Sequence, residues 1–243
     1  MMLGVNGQPF ISFDNELDLS VMQIIHNEMC IGLAMVNGSH ERCQCLKGHN
    51  EAVDLYDYRY KDYAALLPED VDMFNLMNPE QQRKFMLIKY GVYFPWTHCI
   101  RFLEPNSWPT KHSSAGKTIP NILQSWFPKT IEWCYSLPMF SEIGRMNVFG
   151  VHPNNPVSCH RDKNPAEWLI DDEFVMILPV LKKPLYVYDD VKKEKHYINC
   201  HVAAFNDLDY HGADATTEFS YTIRIDGVFT PEYKERVKYG RYK

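Results

Sequence analysis

From about residue 140 onward the chain is written in short runs of period two. Residues 143–151, 157–162, 173–180, 185–189, 196–200, 202–206 and 219–229 alternate apolar with polar or small side chains, the rhythm of a strand with one face buried. Turn formers stand between the runs: Pro153-Asn154-Asn155-Pro156, Asn164-Pro165, Lys182-Lys183-Pro184 and Asp207. So many short strands in so little chain must hide their edges. Closing two sheets on each other in a jelly roll or barrel does this.

The first 140 residues have a helical texture instead. Residues 17–36 carry apolar side chains at three and four spacing and stop at Asn37-Gly38; 51–67 and 78–90 are similar, the latter opening on Asn78-Pro79. A further helix is expected over 121–137, interrupted by Pro128. The predicted fold class is therefore α+β in a single domain. Residues 1–140 form a mainly helical buttress with lid loops, and 141–230 form a double-stranded, jelly-roll core. No internal repeat or low-complexity tract argues otherwise.

Composition narrows the function. An apolar share of 45% in 243 residues supplies a core. With 25 basic against 31 acidic residues the net charge is −6, which disfavours nucleic acid as a partner through counterion release. No apolar run approaches the roughly 20 residues a membrane helix needs. Residues 1–10 lack the basic start and apolar run of a signal peptide. Seven cysteines without repeated spacing fit reduced thiols, and hence a cytoplasmic protein.

The chemistry-bearing residues lie in the second half. In the run 157–162 (VSCHRD), His160 and Asp162 are two apart and so face one side of a strand, while Arg161 points away from it. An imidazole beside a carboxylate supplies two ligands of a facial two-histidine, one-carboxylate site. His211, in FNDLDYHG, is the best third ligand. His196 and His201 are nearer, but neither has an arginine at a comparable distance beyond it on a well-formed strand. Thirteen residues after His211 comes Arg224, in the alternating run SYTIRIDGV; its planar guanidinium is suited to gripping a carboxylate.

His160-Arg161-Asp162, then His211, then Arg224 resembles the HxD…H…R signature of the Fe(II)/2-oxoglutarate-dependent dioxygenases. The run of short strands is similar to their double-stranded β-helix, and the texture around FNDLDYHG looks most like the aspartyl/asparaginyl β-hydroxylase-like branch. The resemblance covers residues 141–230. It implies that His160, Asp162 and His211 hold Fe(II), that Arg224 grips the distal carboxylate of 2-oxoglutarate, and that O₂ is the co-reactant. It also implies release of succinate and CO₂ as a substrate C–H bond is oxidised. The carboxylate of Asp162 favours hydroxylation over halogenation. The expected substrate is a small polar molecule such as an amino acid or derivative. A peptide side chain is the nearest rival, and a non-catalytic, cupin-like ligand-binding module is the rival of another class.

Weaker signals complete the reading. Arg145 and Asn147 alternate with Phe149 on the strand before the HxD run; facing inward they would bind the cosubstrate's inner carboxylate, facing outward they would be solvated. Trp168 reads as a loop-packing side chain. His40, Cys43, Cys45 and His49 have zinc-type chemistry but a Cys-x-Cys spacing closer than structural zinc sites use, so an exposed loop is expected. Ala115-Gly116-Lys117-Thr118 lacks the earlier glycine of a P-loop, Lys111 standing there instead. It belongs to a long loop, 104–120, whose Lys111, His112 and Lys117 could meet an anionic substrate.

Overall fold

The structure, a computed structural model, describes residues 2–35, 68–76, 96–103, 111–151, 156–162 and 173–241. Ten strands are present among them: β1 (Phe10–Ser12), β2 (Trp96–Leu103), β3 (Phe140–Val151), β4 (Val157–His160), β5 (Phe174–Ile177), β6 (Leu185–Asp189), β7 (Glu194–Tyr197), β8 (Val202–Phe205), β9 (Tyr210–Ala213) and β10 (Ser220–Phe229). They make a six-stranded sheet in the order β1-β8-β5-β10-β3-β2 and a four-stranded sheet in the order β4-β9-β6-β7. From β3 onward the chain passes repeatedly between the sheets, always pairing antiparallel. The result is a jelly-roll, double-stranded β-helix core.

Alternation decides what each face of the larger sheet buries. On β10, Ile223 and Ile225 are cross-strand from Val148 and Met146 on β3 and from Ile177 and Val175 on β5. These six pack on the helical layer. The residues between them, Thr222, Arg224 and Asp226, share the opposite face with Phe149, Asn147 and Arg145 and look into the space between the sheets. There the apolar filling comes from Phe174, Met176, Ala203 and Phe205 of one sheet and Leu185 and Val187 of the other. The inner face is thus half apolar and half charged.

The helices among the described residues are α1 (Met22–Met35), α2 (Pro68–Leu76), α3 (Asn121–Trp126), α4 (Pro128–Tyr135) and α5 (Pro231–Arg236); α1, α3, α4 and α5 supply side chains to the core on the outer face of the larger sheet. The predicted break at Pro128 is present: proline opens α4 at its first turn, where a missing N–H costs nothing. The freed donors of that turn are taken by Glu28 of α1, which accepts from Lys129 N at 2.9 Å, Thr130 N at 2.8 Å and Thr130 Oγ1 at 2.7 Å. Phe127, between α3 and α4, lies against Phe102 with ring centroids 4.9 Å apart. A Cβ on Gly32 would overlap its ring at 2.2 Å.

The structure adds to the expectations at two places and corrects one. Besides their helices, the first 140 residues supply β1 and β2, which extend both edges of the larger sheet. Their three and eight residues give too little period-two signal to be separated from loop or helix. The stretch 68–76 is a helix that the proline at its start conceals as a stop; a proline at a first turn is equally a start. The segment 111–117 is no free lid. Glu142 accepts from Ser114 N at 2.7 Å and from both serine hydroxyls of Ser113 and Ser114, and Lys117 Nζ donates to Gly144 O at 2.6 Å. The expected helices at 51–67 and 78–90, the zinc-type set at 40–49 and Trp168 lie outside the described residues. Among the described residues no helix is long and apolar enough to cross a membrane.

Candidate metal centre

Two paired strands, β4 and β9, and the residues just after β4 bring His160, Asp162 and His211 together. β4 pairs with β9 so that His160 stands directly across from His211, and the two rings lie 4.5 Å apart between centroids. β4 ends at His160, but Asp162 N still donates to Asp207 O at 3.2 Å, which keeps the carboxylate on the imidazole side. Asp162 Oδ1 is 3.2 Å from His160 Nε2 and 3.3 Å from His211 Nε2. One ligand-type atom from each of the three lies within 4.8 Å of the others; among the described residues this is the cluster able to hold a metal ion.

The protonation chemistry fits a cation there. His211 Nδ1 lies 3.0 Å from Asp209 O, so the proton belongs on Nδ1 and the Nε2 lone pair faces the carboxylate. Burial lowers the His211 pKa, and the opposing pull of Asp162 does not restore it, so the ring is neutral. For Asp162, burial alone would raise the pKa. The guanidinium charge of Arg224, bonded to Asp162 Oδ2, opposes it, and the carboxyl is held well below its usual range. Two imidazole nitrogens and one carboxylate oxygen on one side, with open space on the other, suit ferrous iron.

The open space is a cavity between the sheets lined by, among others, Phe149, Val157, Met176, Leu185, Phe205, Lys183, Thr222 and Arg224 with the triad itself. Arg224 is on its wall, but not as a spare cation. Its Nη1 donates to Asp162 Oδ2, its Nε lies 3.0 Å from Asp226 Oδ1, and its Nη2 lies 2.9 Å from Asp226 Oδ1 and 3.4 Å from Asp207 Oδ2. The guanidinium carbon stacks 3.9 Å over the Phe174 ring. The guanidinium expected to grip a cosubstrate is therefore already committed to three carboxylates of its own chain.

Arg145 and Asn147 do face inward, yet neither lines the cavity. Arg145 Nε and Nη2 each reach Asp226 Oδ2 at 2.7 Å, which consumes the charge assigned to an inner carboxylate. Asn147 is buried across from Arg224. Lys111 is buried as well, 3.9 Å from Asp226, and the amine of Lys117 is held by backbone carbonyls; neither is free for an anionic substrate. Arg161 turns away from the triad and stacks 3.8 Å from the Tyr210 ring centroid. His201 Nδ1 sits 2.8 Å from Leu178 O and His196 lies on the β7 edge, so neither competes with His211.

Sequence reasoning missed Lys183. It is buried at 5% exposure and lines the cavity. Its Nζ has two neutral partners, Thr222 Oγ1 at 3.2 Å and Phe149 O at 3.3 Å. Burial pushes its pKa down to about 7.

No family model and no curated protein matches the chain. Solved structures resembling it are 2-oxoglutarate-Fe(II) oxygenases and cupin-like proteins. An oxidoreductase of the 2OG-Fe(II) oxygenase family from Burkholderia pseudomallei is 11% identical over 53% of this chain and 66% of its own, with a TM-score of 0.32. The viral collagen prolyl hydroxylase of Paramecium bursaria Chlorella virus-1, in its 2OG complex, is 10% identical over 92% and 98%, with a TM-score of 0.34. An RmlC-like cupin protein from Desulfovibrio desulfuricans is 13% identical over 34% and 70%, at 0.25. These are distant likenesses of fold and give no support to a place near the aspartyl/asparaginyl β-hydroxylases.

Proposed function

We propose that this protein is an Fe(II)- and 2-oxoglutarate-dependent oxygenase that hydroxylates a small polar substrate, such as an amino acid or a derivative. The observation that carries the reading is the meeting of His160, Asp162 and His211 at the wall of an inner cavity, with their ligand atoms facing one another. Ferrous iron in that position would couple the oxidation of 2-oxoglutarate by O₂, with release of succinate and CO₂, to oxidation of a substrate C–H bond. The chain's own part is placement. His160 and His211 offer imidazole nitrogens and Asp162 offers a carboxylate oxygen. Asp209 O holds the His211 tautomer. Phe149, Val157, Met176, Leu185 and Phe205 make the wall apolar and keep bulk water from the reacting atoms.

Adding Fe(II) and 2-oxoglutarate without oxygen is expected to produce a weak visible charge-transfer band. Oxygen is then expected to yield succinate, and His211→Ala to abolish both signals. A metal-loaded protein that shows neither band nor succinate would instead be a cupin-like binding module, and an unchanged rate in His211→Ala would move the third ligand elsewhere.

A further inference from the structure

Asp226 is fully buried, at 0% exposure, and gathers several cations around one carboxylate. Its two oxygens divide them. Oδ2 is nearest Arg145, accepting from Nε and Nη2 at 2.7 Å each, while Oδ1 is nearest Arg224, with Nε at 3.0 Å and Nη2 at 2.9 Å. Lys111 Nζ lies 3.9 Å from Oδ1. Register explains the meeting: Arg224 and Asp226 are two apart on β10 and face inward together, and Asp226 stands cross-strand from Arg145 on β3.

Arg224 extends from this group to the triad, where Nη1 donates to Asp162 Oδ2. A long side chain with many rotamers fixes a neighbour only when it is itself fixed. Nε and Nη2 form one edge of the planar guanidinium, and Asp226 Oδ1 holds both, which turns Nη1 toward Asp162. The Phe174 ring at 3.9 Å and Asp207 Oδ2 at 3.4 Å from Nη2 complete the seat. A guanidinium beside the triad repels a divalent cation. Any benefit that Arg224 brings to metal binding therefore comes through the orientation of Asp162.

Resting on the metal-centre reading above, we propose that Asp226 is a positioning residue of that centre: it seats the Arg224 guanidinium, and Arg224 in turn holds the Asp162 carboxylate with Oδ1 toward the two imidazoles. Arg145 offsets the charge of Asp226 from its other side.

The test is Mn(II) affinity by calorimetry, with Mn(II) as a redox-inert probe and denaturant unfolding measured alongside. Asp226→Asn keeps the shape of the side chain and removes its charge. It and Arg224→Gln are each expected to weaken Mn(II) binding by about tenfold, the effect of losing an outer partner. The double variant should bind Mn(II) within about twofold of the weaker single one, because Asp226 acts through Arg224. Were charge alone at work, Arg224→Gln would tighten Mn(II) binding, and Asp226→Asn would weaken it further in the Arg224→Gln background; either result would overturn the proposal. Asp226→Asn leaves Arg145 buried without its carboxylate, a change that strongly destabilises, so it is also combined with Arg145→Gln. That pair should fold and show the same loss of about tenfold. Arg145→Gln alone leaves Oδ1 on Arg224, and should keep Mn(II) affinity within about threefold in spite of its own loss of stability. Equal losses of affinity in Arg145→Gln and Asp226→Asn would reduce Asp226 to a structural charge and end the proposal. A wild-type protein that binds no Mn(II) would overturn the metal centre itself, a result distinct from these.

Discussion

Lys183 shows how a residue can work against the fold that contains it. Its pKa of about 7 stands against an ordinary 10.5. Between those values the unfolded chain binds the proton and the folded chain does not, so stability rises with pH across that window. Below about 7 the cost of the buried charge is present in full. Lys183→Met is therefore expected to stabilise the protein by about 2–4 kcal/mol at pH 6, and the gain should shrink toward pH 10; denaturant titrations at the two pH values check this. No increase at pH 6 would mean that the ammonium is better compensated than its two neutral partners indicate. A lysine in Lys182-Lys183-Pro184 reads as a solvated turn residue, because burial of a side chain belongs to the tertiary structure. The triad was legible for the opposite reason, since a two-residue spacing on a strand fixes facing locally. Arg224 was only half legible. Asp226 stands two residues beyond it on the same face, so SYTIRIDGV already placed an intrachain partner beside the guanidinium. Alternation alone could have warned that Arg224 was taken.

At the scale of elements, the metal site depends on segments far from it in sequence. Leu3 N and Gly4 N both donate to the Asp209 carboxylate at 2.6 Å, while Val5 pairs with Tyr239 and Gly240 N donates to Gly4 O at 2.9 Å. The N-terminal segment thereby clasps the loop whose Asp209 carbonyl orients His211. Asp209→Ala leaves two partly or fully buried donors without their acceptor and is expected to cost about 2 kcal/mol. It should also weaken metal binding in the protein that remains folded, read by titration with Mn(II); a stability loss with unaltered metal affinity would detach the clasp from the site. A second fastening is at Gly144 on β3. A Cβ there would lie 2.3 Å from the backbone of Lys111, His112 and Ser113, which only glycine permits. Gly144→Ala is expected to displace the 111–117 segment and lower stability by about 2 kcal/mol or more, seen as a lower melting temperature and new proteolytic cleavage within that segment. Neither fastening was legible in the sequence. Both join segments that pattern treats as separate, and the loop 104–120 carried no period at all. Strand content after residue 140 was legible because alternation is local, although ends such as that of β4, which stops at His160, shifted by one to three residues where turns replace the last ladder bonds.

Across the whole molecule, the larger sheet separates two tasks by its two faces. The outer face, with Met146, Val148, Val175, Ile177, Ile223 and Ile225, is sealed by Ile25, Met29, Leu123, Phe127 and Trp133 from the helices and their junction. The inner face carries the cavity, the triad and the buried charges around Asp226. Hydrophobic burial is non-directional and tolerant of the exact partner, so the outer face can supply stability without dictating where a proton or a carboxylate sits. The inner face has the reverse character, since its charged groups need fixed geometry and contribute little net stability once desolvated. Phe127 tests the separation. Fully buried between α3 and α4, and packed on Phe102 and Gly32, it belongs to the outer-face cluster and not to the cluster between the sheets. Phe127→Ala opens a cavity there and is expected to cost about 3–5 kcal/mol, read from denaturant unfolding. In the folded fraction, affinities for Mn(II) and 2-oxoglutarate should remain within about twofold of the wild-type protein, because strands β3, β5 and β10 keep their cross-strand register whatever fills the helical side. If both affinities fall together with stability, the helical layer sets the curvature of the larger sheet, and the two faces act as one mechanical unit.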